Sequence, residues 1–351
     1  MAQDTDSTAQ GEREGRRIPH CAPRWARRLR LSLLSLSLAL CAALAACYAL
    51  RPDACAAVTL FPVWAWLAPG LVLAWAGWGR AQRRFGALVL LAWLGYLVAF
   101  AEEPRSLVRG WLRGDAQGAS RAAATIRVVS LNCAGGSEVA AAEVAGAYPD
   151  IVLLQESPGR AAVEALGRRL FGAHAAAAWS RDESVLARGA LLGAAPSGRH
   201  GPGTRARVRL ASGTQVDVVS VRFVPPVARM DLWNPSCWRD QAANRRARRD
   251  EVRSLAGRLA GISPETPLVV GGDFNAPAGD ATFRLLRPRL RDTFREAGLG
   301  WGNTAVNDFP FHRIDQIWIS RHFRAVAVTA RKTQHSDHRM VVCDMVRNEG
   351  Q

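Results

Sequence analysis

Three apolar runs crowd the first 101 residues, and they constrain this chain more than any other feature. Leu31 to Leu50 carries no charged residue and is about as long as a bilayer-crossing helix must be. A second run spans Ala56 to Trp78 and a third Phe85 to Ala101. Pro62 and Pro69 in the second are tolerated in membrane helices, and Trp64, Trp66, Trp75 and Trp78 suit the interfacial belts. Successive runs of this kind without amphipathic period predict three transmembrane helices, at about 31–50, 56–78 and 85–101, with the lipid bilayer as a partner.

The arginines give these helices a direction. Residues 1–30 are polar and then Arg-rich, a composition that predicts a disordered basic arm. Arg80, Arg83 and Arg84 lie between the second and third runs, whereas the linker after the first run has only Arg51. Positive charge stays in the cytoplasm, so three crossings place everything after Ala101 outside it. Leu44-Ala45-Ala46-Cys47 is similar to a bacterial lipoprotein processing site; cleavage and lipidation at Cys47 would leave the final domain on the same side.

A formal charge of +16 favours polyanions in general, nucleic acid and anionic membrane alike, without choosing between them. Lys332 is the only lysine, so the excess is arginine, a bias that also fits a GC-rich coding genome. The seven cysteines have neither zinc-ligand spacing nor the layout of a disulfide framework.

Residues 102–123 read as a juxtamembrane linker, and a soluble domain occupies 124–351. TIRVVSLN, IVLLQES, Val185 to Leu192, Ala206 to Leu210, Val216 to Phe223, PLVVGGD and RIDQIWIS read as strands, with a last hairpin through QHSDHRMVVCDM. Helices are expected at Glu138 to Ala147, Arg160 to Phe171 and Arg239 to Ala260. The mixture gives an α/β (α+β) class with a large sheet core.

Polar residues gather where these strands end: Asn132, Glu156, Asp273, Asn275, Asp315, Asp337 and His338. In GGDFNAP, Asp273 and Asn275 are two apart at the end of an apolar strand and share one face. Taken singly, Asn132 is a turn former, Glu156 a surface carboxylate, Asp315 a partner for Arg313, and His338 a structural histidine. Together they collect where a sheet-based fold places a ligand site.

The segments SLN, LLQES, GGDFN, RIDQIWIS and SDH, in that order, make the soluble domain resemble the endonuclease/exonuclease/phosphatase superfamily. The resemblance implies a four-layer sandwich of two packed mixed β-sheets flanked by helices, and hydrolysis of a phosphoester with Mg²⁺, or alternatively Mn²⁺. It implies Glu156 as the principal metal ligand and Asp337 as a second. Asp273 would deprotonate the attacking water, and Asn132 and Asn275 would bond the phosphoryl oxygens. His338 would contact the phosphoryl group or carry a proton, its tautomer fixed by Asp315.

Three positions depart from that pattern. Where many members have His or Tyr before the Asp/Asn motif, the nearest candidate here is Arg222, a substrate-binding group for phosphate but a poor proton donor. Ala134 stands where some nucleases have an acidic residue, and Gln316 where His often follows the late Asp. The substrate stays open between nucleic acid, suggested by Arg239, Arg245, Arg246, Arg248, Arg249 and Arg253, and a phospholipid head group, suggested by tethering and by Trp233 and Trp238. A non-catalytic phosphate- or lipid-binding protein on the same fold is the competing reading. The sequence implies no protein partner.

Overall fold

The structure is a computed structural model that describes residues 23–114, 125–195 and 202–348. The expected disorder of residues 1–22 and the linker at 115–123 lie outside these residues.

The N-terminal part is a helical hairpin with a third pass. Helix α1 (Arg24–Leu50) already contains Arg24, Arg27, Arg28 and Arg30, four arginines expected in the disordered arm. The second run is not one helix. It forms α2 (Ala56–Thr59), turns by 80°, and resumes through α3 (Leu67–Ala76). Pro62 marks the break, while Pro69 sits in the first turn of α3, where no intrahelical bond is lost. Helix α4 (Arg83–Phe100) follows. Two helices, Arg24–Leu50 and Arg80–Phe100, are long and apolar enough to cross a membrane, and the bent pair raises the number to three if it counts as one span. Gly77 packs on the carbonyl of Arg30, so α3 runs back to the start of α1. Trp93 donates to Ser37 at 3.0 Å and Ser37 to the Gly70 carbonyl at 2.8 Å, tying the three passes together.

The segment read as a linker instead begins with helix α5 (Glu103–Arg113). Pro104 lies within its first two positions, where proline favours a helix, and Gly110 lets it close on the backbone of Gly300. Arg109 donates to the carbonyls of Phe294 at 3.1 Å and Gly298 at 3.0 Å, and Glu102 pairs with Arg295 at 2.6 Å and Arg313 at 2.7 Å.

The remaining chain is an α/β domain built on a curled mixed sheet with flanking helices. Its strands are β1 (Ile126–Asn132), β2 (Ile151–Gln155), β3 (Ala175–Trp179), β4 (Glu183–Ala195), β5 (Thr204–Leu210), β6 (Gln215–Arg222), β7 (Leu268–Asp273), β8 (Arg291–Asp292), β9 (Asp315–Ile319), β10 (Phe323–Arg331) and β11 (Met340–Arg347). They are ordered β10-β11-β1-β2-β4-β5-β6-β7-β9-β8, with β3 on β4. Two separate sheets were expected, yet β4 joins the two halves into one hydrogen-bonded path. Its first half pairs with β2 and β3 and its second with β5. Gly189 stands at the change, where any Cβ would run into the carbonyl of Arg209.

The halves face each other across an apolar core that includes Val128, Leu153 and Val185 from one and Val218, Val269 and Ile317 from the other. Helices α6 (Glu138–Ala142) and α7 (Arg160–Phe171) cover one outer face, and α8 (Pro235–Ala260) the other. A short helix α9 (Thr293–Ala297) leads toward β9. The central strands β2, β7 and β9 are buried at every residue, and β1 at every residue but Arg127, because both their faces are covered.

Helix α8 carries the correction with most bearing on function. Its buried stripe is Cys237, Gln241, Arg245, Arg248, Val252, Leu255 and Leu259, so two of the arginines offered to a nucleic-acid backbone point inward. Arg245 pairs with Asp280 at 3.1 Å and bonds Thr59 and the Pro52 carbonyl in the segment after α1. Arg248 bonds the Val224 carbonyl at 3.2 Å, and Arg249 bonds Asp53. Arg239, Arg246 and Arg253 remain exposed.

Candidate active site

The site forms at one end of the curled sheet, where the parallel pairs β1/β2 and β6/β7 terminate side by side. Register aligns Arg222 with Asp273 across β6 and β7, and Asp273 with Asp315 across β7 and β9. The glycine pair before Asp273 is required by this packing: Gly272 has φ 148° and a Cβ there would strike the Val221 carbonyl.

Most of the expected residues come together in one hydrogen-bonded chain. Arg222 donates to Glu156 Oε1 at 2.8 Å. Asn132 donates to Glu156 Oε1 and to Asp273 Oδ2, each at 3.2 Å. Ligand atoms of Asp273, Asp315 and His338 all lie within 4.8 Å of one another. His338 Nδ1 bonds Asp315 Oδ2 at 2.9 Å, the contact that fixes its orientation. Asp337 is exposed beside His338.

Two details differ from the expected roles. Both amide protons of Asn132 are directed at carboxylates, so in this state it orients Glu156 and Asp273 rather than offering itself to a phosphoryl oxygen. Asn275 donates its side-chain amide to the Phe223 carbonyl at 2.8 Å, while its backbone N–H donates to Asp273 Oδ1 at 2.9 Å. It adopts a left-handed φ of 50°, a conformation asparagine tolerates.

Electrostatics separate the members. Burial and the neighbouring Asp315 charge push Asp273 up to about 7, against the pull of His338 and the Asn275 and Asn132 donors. Burial alone would lower His338, but Asp315, then Asp273 and Asp337, raise it to about 10, so at neutral pH it is an imidazolium. Glu156 is held below the usual carboxylate range: burial opposes ionisation, and the Gly135 N–H, Asn132 and Arg222 outweigh it.

A divalent cation fits the donor chemistry at Glu156 and Asp337. Both are hard oxygen donors, and the Glu156 side chain is 27% exposed. Asp273, Asp315 and His338 form a tighter second group, two carboxylates and an imidazole whose ligand atoms lie close enough together to hold a cation. Within it, the His338 Nδ1–Asp315 Oδ2 bond couples the imidazole to a buried carboxylate. Asp315 Oδ1 is buried without a donor, which leaves negative charge facing Asp273.

Sequence reasoning missed the supports. Ser336 donates to the Asn132 carbonyl at 2.7 Å and accepts from the His338 N–H at 3.0 Å, locking the SDH loop onto β1. Its place in the SDH segment was the available signal. Thr304 Oγ1 accepts from the Asp315 N–H at 3.1 Å and Gly135 donates to Glu156 at 2.6 Å. Nothing local marks Thr304. Beneath the site, Gln155 bridges the halves through Ser220 at 3.1 Å and Ser130 at 3.3 Å.

Residues 129–338 match the family model described as Endonuclease/Exonuclease/phosphatase family. No curated protein sequence matches the chain. Among solved structures, an endonuclease/exonuclease/phosphatase family protein from Bacteroides thetaiotaomicron superimposes with a TM-score of 0.51 at 13% identity, covering 64% of this chain and 98% of its own. A mannosyl-6-phosphatase from the same species gives 0.50 at 14%, covering 63% and 99%. An endonuclease/exonuclease/phosphatase from Bacteroides vulgatus gives 0.50 at 16%, covering 64% and 99%. At these identities the likeness is one of fold.

Proposed function

The chain belongs to the Endonuclease/Exonuclease/phosphatase family, whose members are phosphoester hydrolases, and from that premise we propose a membrane-anchored hydrolase that uses Mg²⁺, or Mn²⁺ in its place. The observation that carries the reading is the Asp273–Asp315–His338 cluster, joined to Glu156 and Arg222 through Asn132. A decayed binding protein would have no reason to keep an ionised relay of this geometry.

Each residue then has a task. Asp273, unprotonated above about 7, takes a proton from water as the water oxygen bonds to phosphorus. His338, charged below about 10, faces the phosphoryl group and gives a proton to the oxygen that leaves as the old P–O bond breaks. Asp315 keeps that ring aligned and charged. Glu156 and Asp337 would hold the cation, which when bound neutralises charge growing on the phosphoryl oxygens. Arg222 anchors Glu156 and supplies positive charge beside it.

Anchoring follows from the N-terminal helices. Arg30 and the turn after α3 lie at one end of the helical bundle. Tyr48, Phe100 and the catalytic domain lie at the other. With the arginine-rich end in the cytoplasm, the catalytic domain is extracytoplasmic.

The test is turnover of bis-p-nitrophenyl phosphate by the purified full chain, before and after chelation. Rates that return with Mg²⁺ support the reading; a well-folded chain inert with Mg²⁺ and with Mn²⁺ overturns it.

A further inference from the structure

A cavity of about 480 Å³ opens beside the site, between the turn Leu60–Trp64 of the membrane part, the stretch Pro226–Met230 and the segment Phe309–Ile314. Its inner wall is Asn275, Ala276 and Pro277, the continuation of the strand end that carries Asp273. The lining is almost wholly apolar. Of its charged or titratable members, Arg229 is held by Asp231 at 2.5 Å and Asp240 at 2.7 Å. His312 is kept neutral by burial, which pushes it down to about 4. Of the lining residues, Met230 is 63% exposed and Phe309 82% exposed, so apolar surface extends from the cavity to solvent.

The cavity is continuous with the membrane part on its other side. Leu60 to Trp64 form the break inside the bent second run, at the end of the bundle that carries the catalytic domain. Trp238, just beyond the 226–230 stretch, packs on the cluster formed by the membrane helices. A bound chain would therefore run from the strand ends toward the bilayer surface. Three of the six arginines that would serve a nucleic-acid backbone are engaged instead, Arg245, Arg248 and Arg249 clamping α8 to Asp280, Val224 and Asp53, while Arg239, Arg246 and Arg253 stay exposed.

We propose that this cavity takes the hydrocarbon chain of an amphiphilic phosphoester, so that the substrate is a membrane lipid whose phosphate lies at Asp273 and His338. The inference rests on the hydrolase reading above and deepens it.

The experiment uses the full chain in phosphatidylcholine nanodiscs with Mg²⁺ and a series of alkyl p-nitrophenyl phosphates from methyl to octyl. Each has the same phosphate and the same leaving group, p-nitrophenolate; only the chain grows. If the cavity holds the chain, kcat/KM climbs by roughly fourfold per buried methylene, so that octyl, seven methylenes longer than methyl, exceeds it by on the order of 10⁴-fold when all of them are buried. Ala228→Trp, which narrows the mouth, and Phe309→Asp, which makes it polar at an exposed position, flatten that ratio. Equal kcat/KM along the series overturns the inference and leaves the hydrolase reading standing. Faster cleavage of single-stranded oligothymidylate than of the octyl ester overturns it in favour of nucleic acid. Turnover of none of these by folded protein overturns both.

Discussion

Asp315→Asn isolates the charge that the relay depends on. The amide keeps an oxygen for the His338 ring and nearly the same volume, so the 2.9 Å contact survives while its charge is lost. Both partners are buried, with side-chain exposures of 12% for His338 and 0% for Asp315. Two charges about 4 Å apart at an effective dielectric of about 20 attract by about 4 kcal/mol, or about three pKa units. His338, raised to about 10 in the intact site, then falls to about 7 or below, since burial continues to oppose its charge. Asp273, raised by the same Asp315 charge, moves down as well. The sign is fixed: kcat/KM needs Asp273 unprotonated and His338 protonated, so the active window slides to lower pH. The assay is the pH profile of kcat/KM on bis-p-nitrophenyl phosphate at constant Mg²⁺. The unaltered chain shows no basic limb below about 9, and the variant shows one near 7. A variant whose basic limb stays within half a unit of the original refutes the assignment of His338 as the charged donor supported by Asp315.

Arg222→Ala is expected to lower kcat/KM more than Arg222→Lys, because lysine keeps a charge near Glu156 but loses the planar fork; equal and negligible effects would make Arg222 structural only. Arg245→Ala strips the partner from Asp280, whose side chain is 4% exposed, and should cost about 3–5 kcal/mol in denaturant unfolding of the full chain; a loss under about 1 kcal/mol would mean the clasp between α8 and the segment after α1 carries little. Alkaline phosphatase fused after Gln351 should be active in a bacterial host, since that enzyme works only outside the cytoplasm, and a well-expressed inactive fusion would reverse the topology.

Much of the site was legible because each member stands next to something the sequence displays. Asn132, Asp273 and Asp315 end or begin strands that are buried at all or nearly all of their residues, and such runs are readable without a structure. What joins these residues was hidden. The Arg222–Glu156 pair links residues 66 apart and exists only because the two sheet halves curl together. Arg245 and Arg248 occupy buried positions of α8 at helical spacing, but an arginine in that stripe looks like a solvated one until its partner Asp280 is in place. Helix α5 was hidden because residues 102–123 show little hydrophobic pattern and read as a linker; Pro104 at its start and Gly110 against Gly300 take their meaning only from the packing. The continuity of the sheet through β4 depends on the Gly189 crossing, which no local pattern announces.

The central claim is that the strand-end cluster performs metal-assisted hydrolysis of a phosphoester. Its most direct measurement is Mg²⁺-dependent turnover of bis-p-nitrophenyl phosphate by the full chain beside its Asp273→Asn variant, with folding of both checked by circular dichroism. The account predicts turnover that vanishes on chelation, returns with Mg²⁺, and falls by at least about 10²-fold in the variant. Equal turnover by the two folded proteins, or turnover indifferent to metal, would contradict it.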